Sequence, residues 1–118
     1  MASTALASPP PSFLQPPPRG ALDYLESQLS HIGCVGDLAH WERRYAYRER
    51  VQGTVYSLDT AIVDIQLKQA GKFGFKPGRS FVDGPLIEPD DRRYRVVIGS
   101  YDLLRHELKI EVCGPNVR

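Results

Sequence analysis

The stretch RVQGTVYSLDTAIVDIQLKQ, residues 50–69, decides the fold because it contains two strand-like runs separated by a polar break. In residues 51–58 and again in 61–68, side chains alternate with a period of two and β-branched residues are common, which is typical of half-buried strands. A short polar break between two such runs predicts an antiparallel hairpin. We therefore expect a hairpin here, with its turn at Asp59 and Thr60.

Outward from this hairpin, the first twenty residues differ in composition from the rest of the chain. Residues 1–20 hold six of the ten prolines, and a backbone without donors at those positions predicts a disordered, polyproline-leaning tail. This tail is either a solvated spacer or a ligand for an aromatic-lined groove on a protein partner. Residues 21–118, with ordinary hydrophobic and charged content, are expected to form a single small domain.

The remaining elements follow from periodicity. Leucines at residues 22, 25 and 29 and Ile32 recur at steps of three and four, which predicts an amphipathic helix that ends at Gly33. Strands are predicted at 42–50, 80–82, 92–98 and 103–113, with a long loop over 70–89 and a turn at 99–102. The predicted fold class is mainly β (α+β), a small, strongly bent antiparallel sheet or barrel with the N-terminal helix packed across it. An open, helix-covered sheet is the alternative.

The two cysteines and the lack of apolar runs bear on the compartment. Cys34 and Cys113 are predicted to be free, buried thiols, and the alternative is a single disulfide that would need an oxidising compartment. No run reaches the roughly 18 apolar residues of a membrane-spanning helix, and the N-terminus lacks the pattern of a signal peptide. We expect a soluble, intracellular protein, cytoplasmic or nuclear.

No residues assemble into a recognisable catalytic or metal-binding motif. His31, His40 and His106 have no partners at a metal-ligand spacing, so neither a metal nor a cofactor is predicted. Asp102 and His106 form a conceivable acid and base pair, but a core or boundary histidine is the simpler interpretation. We therefore predict that the protein is not an enzyme.

Basic and aromatic residues interleave in the middle of the chain. Residues 43–95 contain eleven Lys and Arg against seven Asp and Glu, a net charge of +4. Such a pattern suits phosphate neutralisation beside base stacking, although mixed charges are also typical of any sheet surface. The predicted phosphate-binding residues are Arg43, Arg44, Arg48, Lys72, Lys76, Arg79, Arg92 and Arg93. The predicted stacking residues are Tyr45, Phe73 and Phe75.

Two segments resemble motifs of the Sm-like family. Residues 53–59, GTVYSLD, followed by residues 63–67, VDIQL, resemble the family's first motif, and residues 98–100 loosely resemble its second. The resemblance spans about residues 21–113 and implies a helix followed by five strands in a barrel. There is one extra residue before Asp64, Asp64 stands where the family has asparagine, and Ile98 stands where it has arginine, so the family's RNA pocket is not carried over. An oligonucleotide-binding barrel has the same pattern of strands and loops.

Two functions remain open. The first is a binding module that contacts RNA or single-stranded nucleic acid within a larger assembly. The second is a structural or assembly protein, such as a viral matrix-like or adaptor subunit, that acts through self-association and protein partners. Salt-dependent RNA binding would favour the first, and a defined oligomer indifferent to RNA would favour the second.

Overall fold

A computed structural model describes residues 15–71, 74–83, 85–86 and 95–113. In chain order its elements are helix α1 (Arg19–Leu29), a single 3-10 turn (Leu38–His40), and strands β1 (Trp41–Gln52), β2 (Val55–Gln69), β3 (Gly78–Phe81), β4 (Val96–Asp102) and β5 (Glu107–Cys113). The five strands form one sheet in the order β3-β1-β2-β4-β5. The protein is therefore mainly β with one N-terminal helix, as the sequence predicts.

The sheet is mixed rather than purely antiparallel. β1, β2, β4 and β5 pair antiparallel in succession, whereas β3 pairs parallel with β1. The long connection after β2 returns β3 to the far edge of β1, which an antiparallel hairpin could not do. Within the described residues the sheet is open, with β3 and β5 at its edges, so closure into a barrel stays a prediction.

Helix α1 covers one face of this sheet and forms the core with it. Leu22, Leu25 and Leu29 are buried against side chains from every strand of the antiparallel group, among them Trp41, Tyr45, Val63, Ile65, Leu67, Val97 and Tyr101. The period of the leucines matches the helix, and the alternation of β2 matches a strand with one covered face. The helix and its packing across the sheet are confirmed, but it ends at Leu29 and not at Gly33 as predicted.

The hairpin exists, but its predicted turn is wrong. β1 and β2 join at Gly53 and Thr54, because Gln52 pairs with Val55 and Gly53 adopts a positive φ of 63°. A two-residue turn with a left-handed glycine matches the twist of the paired strands. β2 instead continues through Asp59 and Thr60, and residues 60–62 have no partner on β1 because the register shifts between Tyr47 and Arg48.

The closing hairpin is also displaced from its predicted position. β4 continues through residues 99–102, and the turn lies at residues 103–106. Gly99 is needed inside the strand, because a Cβ there would clash with the carbonyl oxygen of Lys109 at the register shift between β4 and β5. The alternating exposure expected for the last strand is present over Glu107–Cys113.

The prediction of two free thiols is wrong, since Cys34 and Cys113 form a disulfide. Their Cα atoms lie 6.2 Å apart, which is within the range that a disulfide spans. The bond links the segment after α1 to the end of the edge strand β5. It closes a loop of 79 residues that contains almost the whole sheet.

Candidate interaction surfaces

A buried carboxylate on α1 collects three of the residues predicted to bind nucleic acid. Glu26 accepts hydrogen bonds from Arg43 Nε and from Tyr45 Oη, both at 2.6 Å. Arg79 Nη1 donates to Glu26 at 3.1 Å and to Asp23 at 2.7 Å. Because these two guanidinium groups already have carboxylate partners between helix and sheet, they are poor candidates for phosphate contacts.

Tyr45 is fully buried beneath α1. Burial, and then the hydrogen bond to Glu26, raises the pKa of the Tyr45 phenol far above its usual value. The phenol therefore stays neutral and donates to the carboxylate. A nucleic-acid base has no access to this ring in the folded protein, so we do not retain Tyr45 as a stacking residue.

Two further arginines are paired where the hairpin leaves the sheet. Arg48 donates to Asp64 Oδ1 from Nε at 3.1 Å and from Nη2 at 2.6 Å, and this contact raises the pKa of Arg48. Arg50 makes the same kind of contact to Asp59 at 3.1 and 2.7 Å. The contact with Arg50, and then the backbone amide of Ala61, lowers the pKa of Asp59. The first pair neutralises a residue predicted to bind phosphate, Arg48, and the second neutralises Arg50, which was not among the predicted site residues.

The remaining described candidates lie near one another on the face of the sheet opposite α1. Lys68 Nζ lies 4.8 Å from the centre of the Phe75 ring. Burial, and then the nearby charge of Arg44, lowers the pKa of Lys68. Arg44 is half exposed, 3.5 Å from the Glu42 carboxylate, and Lys76 is exposed next to Phe75 in the chain. We call Arg44, Lys68, Phe75 and Lys76 the basic patch.

The other predicted site residues lie outside the described part of the chain. These are Lys72, Phe73, Arg92 and Arg93. Their predicted roles in phosphate binding and stacking stay predictions. Lys68 was not among the predicted site residues. It pairs in register with Glu42 and is a diagonal neighbour of Arg44 on the same face, a placement that only the strand register shows.

The distal part of the β1–β2 hairpin projects beyond the rest of the sheet. β3 pairs with β1 only over residues 42–45, and β4 pairs with β2 only over residues 62–68. Residues 48–59 therefore form a two-stranded ribbon, which we call the arm. Along both of its edges the described residues leave the backbone donors and acceptors unpaired.

One side of the arm carries three exposed apolar side chains next to one exposed carboxylate, that of Glu49, which pairs in register with Leu58. Val51 pairs directly with Tyr56, and Leu58 lies two residues further along the same face. These side chains are 51%, 69% and 38% exposed, respectively. This surface is not apparent from the sequence, because a turn at Asp59 and Thr60 puts Val51 and Tyr56 on one strand, where alternation assigns them to opposite faces.

The possible pair of Asp102 and His106 is not supported as a catalytic arrangement. The Asp102 carboxylate accepts hydrogen bonds from the backbone amides of Leu104 and Arg105 and thereby forms the turn. His106 lies exposed in that turn with a positive φ of 57°, and its Nδ1 is 3.3 Å from the Tyr101 hydroxyl. Among the described residues, no group of three or more His, Cys, Asp and Glu could hold a metal ion.

Comparisons with known proteins do not assign the chain to a family. No family model matches it, and no curated protein or solved structure is significantly similar. The resemblance to the Sm-like family therefore stays a prediction. Over the residues that the structure describes, no helix is long and apolar enough to cross a membrane.

Proposed function

We propose that this protein is an assembly subunit that self-associates through the arm. The observation that carries the proposal is the exposed apolar face formed by Val51, Tyr56 and Leu58 on a ribbon that projects from the sheet. Exposed apolar residues grouped on one projecting element are typical of interaction sites, whereas single ones are normal on any surface. The partner we propose is a second copy of this chain.

The charges of the arm suit contact between identical copies. Residues 48–59 contain two arginines, one glutamate and one aspartate, so their net charge is 2 − 2 = 0. Arg50 is matched by Asp59 within the arm, and Arg48 is matched by Asp64 at its base. Glu49 lies on the same face as the apolar residues, opposite Leu58, so a twofold contact must leave this carboxylate at its solvent-exposed rim. With that placement the apolar side chains of two arms can meet, and the open edges of the arms offer backbone hydrogen bonds.

The experiment is light scattering after size-exclusion chromatography, over a range of protein concentrations. We expect the mass of the wild-type particle to rise with concentration to that of a defined oligomer. A Val51→Asp, Tyr56→Asp variant should shift this association to at least ~10-fold higher concentration, because it places charges in a desolvated contact. Two aspartates directly opposite each other on the paired strands repel, so Val51→Asp alone is measured as well. Because Val51 is exposed, the single variant should leave unfolding by urea nearly unchanged.

Leu104 provides the matched control. It is a large apolar residue that is 80% exposed, and it lies in the β4–β5 turn, outside the arm. Leu104→Asp should leave the association unchanged if the arm is the contact. A wild-type protein that stays monomeric at high concentration, or equal loss of association in the Leu104 variant, would exclude the proposal.

A truncation that lacks residues 1–14 tests the contribution of the tail to association separately. The tail leads to Gln15, whose carbonyl accepts a hydrogen bond from Tyr47 Oη at the base of the arm.

A second candidate function is binding of RNA or single-stranded nucleic acid, and the basic patch favours it. Lys68 lies over the Phe75 ring, Arg44 is close enough to Lys68 to lower its pKa, and Lys76 follows Phe75 in the chain. The Glu42 carboxylate lies among these cations and offsets part of their charge. The patch therefore combines cations for phosphate contacts with a candidate stacking surface. Repeating the light-scattering runs with a mixed RNA pool at low and high salt tests this function. Binding that falls steeply with salt and is lost in an Arg44→Gln, Lys68→Gln variant would support it.

Neither proposal depends on whether the sheet closes. Closure of this open sheet into an Sm-like or oligonucleotide-binding barrel stays a prediction. A cytoplasmic or nuclear location likewise stays a prediction, and so does recruitment of a protein partner by the proline-rich tail.

A further inference from the structure

A cleft separate from the arm and the basic patch lies beside the only tryptophan of the chain. Its volume is about 450 Å³, within the range of small-molecule sites. It lies between the segment that leads into β1 and the adjoining ends of β2 and β4. The lining residues used below are Val35, Ala39, Trp41, Gln69, Ala70 and Arg95.

Arg95 differs from the other partly buried arginines of the described chain. Arg43, Arg48 and Arg79 each have a carboxylate oxygen within 2.6 to 2.7 Å. For Arg95, the described residues contain no carboxylate within ion-pair distance, and its Nε is buried without a hydrogen-bond partner among them. A partly buried cation without a counter-charge is costly, and an anionic ligand would remove that cost.

The Arg95 guanidinium is held in position by the structure around it. It lies over the Trp41 ring, 5.3 Å from its centre, and its Nη2 donates to the Cys34 carbonyl at 2.8 Å. Trp41 is itself fixed by a hydrogen bond from its indole Nε1 to the Val35 carbonyl at 2.8 Å. A cation held this way loses little conformational freedom when a ligand binds.

The walls of the cleft indicate which anion it would accept. Val35, Ala39 and Ala70 provide apolar surface, and Gln69 lies on the same lining with its Oε1 accepting from the Arg95 amide at 3.3 Å. Besides His40, Arg95 is the one basic residue among the described residues that line the cleft. A single arginine matches the single charge of a carboxylate, whereas a phosphate dianion is favoured by several cations. We propose that this cleft binds a carboxylate attached to a small apolar group. That group belongs either to a free organic acid or to the C-terminus of a peptide.

Tryptophan fluorescence can measure binding in this cleft directly. Trp41 lines the cleft and is the only tryptophan of the chain, so a change in its emission reports on this site. The probes are hexanoate for a free acid, N-acetyl-leucine for a peptide C-terminus, N-acetyl-leucinamide as its uncharged match, and inorganic phosphate. We expect saturable changes with at least one of the two carboxylates, and the tighter one identifies the source. The amide and phosphate should bind at least ~10-fold more weakly.

Variants of the full-length protein show whether carboxylate binding depends on Arg95 or only on the total positive charge of the protein. Arg95→Gln should weaken carboxylate binding at least ~10-fold, and Arg95→Lys should retain part of it because the charge remains. Arg105→Gln, in the exposed β4–β5 turn, removes the same charge elsewhere and should leave binding unchanged. Thermal unfolding of each variant shows whether the fold is retained, and Arg95→Lys keeps the comparison valid if Arg95→Gln does not fold.

Three results would overturn the proposal. The first is no saturable change with either carboxylate, and the second is phosphate binding that equals or exceeds carboxylate binding. The third is equal carboxylate binding by the wild type and a folded Arg95→Gln protein. The self-association of the arm is measured by particle mass and not by Trp41 fluorescence, so failure of one proposal leaves the other standing.

Discussion

Glu26 is the residue that determines which of the predicted basic residues remain available to a ligand. Its carboxylate contacts Arg43, Arg79 and Tyr45, and these three come from β1 and β3. The partners lie 17, 53 and 19 residues away in the chain, so local sequence patterns contain no signal for the cluster. Counting basic residues found the cations correctly but could not show that the helix neutralises two of them.

We predict that Glu26→Gln destabilises the fold, by about 2 to 4 kcal/mol, because it leaves the partly buried guanidinium of Arg43 without a carboxylate. Arg79 keeps its contact with Asp23 and loses only its second carboxylate. Urea unfolding measures the change. Glu42→Gln is the matched control, because the contact of Glu42 with Arg44 is long, at 3.5 Å, and its Oε1 accepts no hydrogen bond from the described residues. That control should change stability by less than about 0.5 kcal/mol. Equal effects of the two substitutions would contradict the role assigned to Glu26.

At the scale of elements, the sequence was sufficient where periodicity alone decides the structure. α1 and the alternation of β5 follow directly from the spacing of their apolar residues. The two turns were misplaced for opposite reasons. The first was predicted at the polar pair Asp59 and Thr60, although Gly53 makes it, and the second was predicted at Gly99, although that glycine lies inside β4. Asp59 ends no strand; its carboxylate is used by Arg50 and the Ala61 amide inside β2, while Gly53 makes the turn.

The close approach of β4 and β5 at Gly99 can be tested by substitution. We expect Gly99→Ala to destabilise the fold by about 2 kcal/mol, since the new methyl group would meet the Lys109 carbonyl and the Ile110 side chain. Gly20→Ala is the control, because no atom lies within 4 Å of a Cβ there and alanine favours helix. Thermal unfolding of both variants distinguishes them. An unchanged midpoint for Gly99→Ala would mean that β4 and β5 do not approach as described.

At the scale of the whole molecule, the disulfide joins the segment between α1 and β1 to the last residue of β5. Cys34 follows α1 and Cys113 ends β5, so the bond connects the helix layer to an edge of the sheet. Cysteine count alone could not distinguish this bond from two free thiols, because only the folded chain brings residues 79 positions apart together. Persistent disulfides are typical of oxidising compartments, which opposes the expectation of a cytoplasmic or nuclear location.

Stability should therefore depend on the redox state. Closing a loop of 79 residues restricts the unfolded chain, and the loop-entropy model gives a stabilisation of about 4 kcal/mol. We predict that a reductant lowers the free energy of unfolding in urea by about this amount, and that a Cys34→Ser, Cys113→Ser variant shows the same loss without reductant. The double variant should then be insensitive to reductant, which separates loss of this bond from any other effect of the reagent. Thiol titration of the unfolded, unreduced protein provides the independent check, because two reactive thiols per chain would show that the bond is not formed.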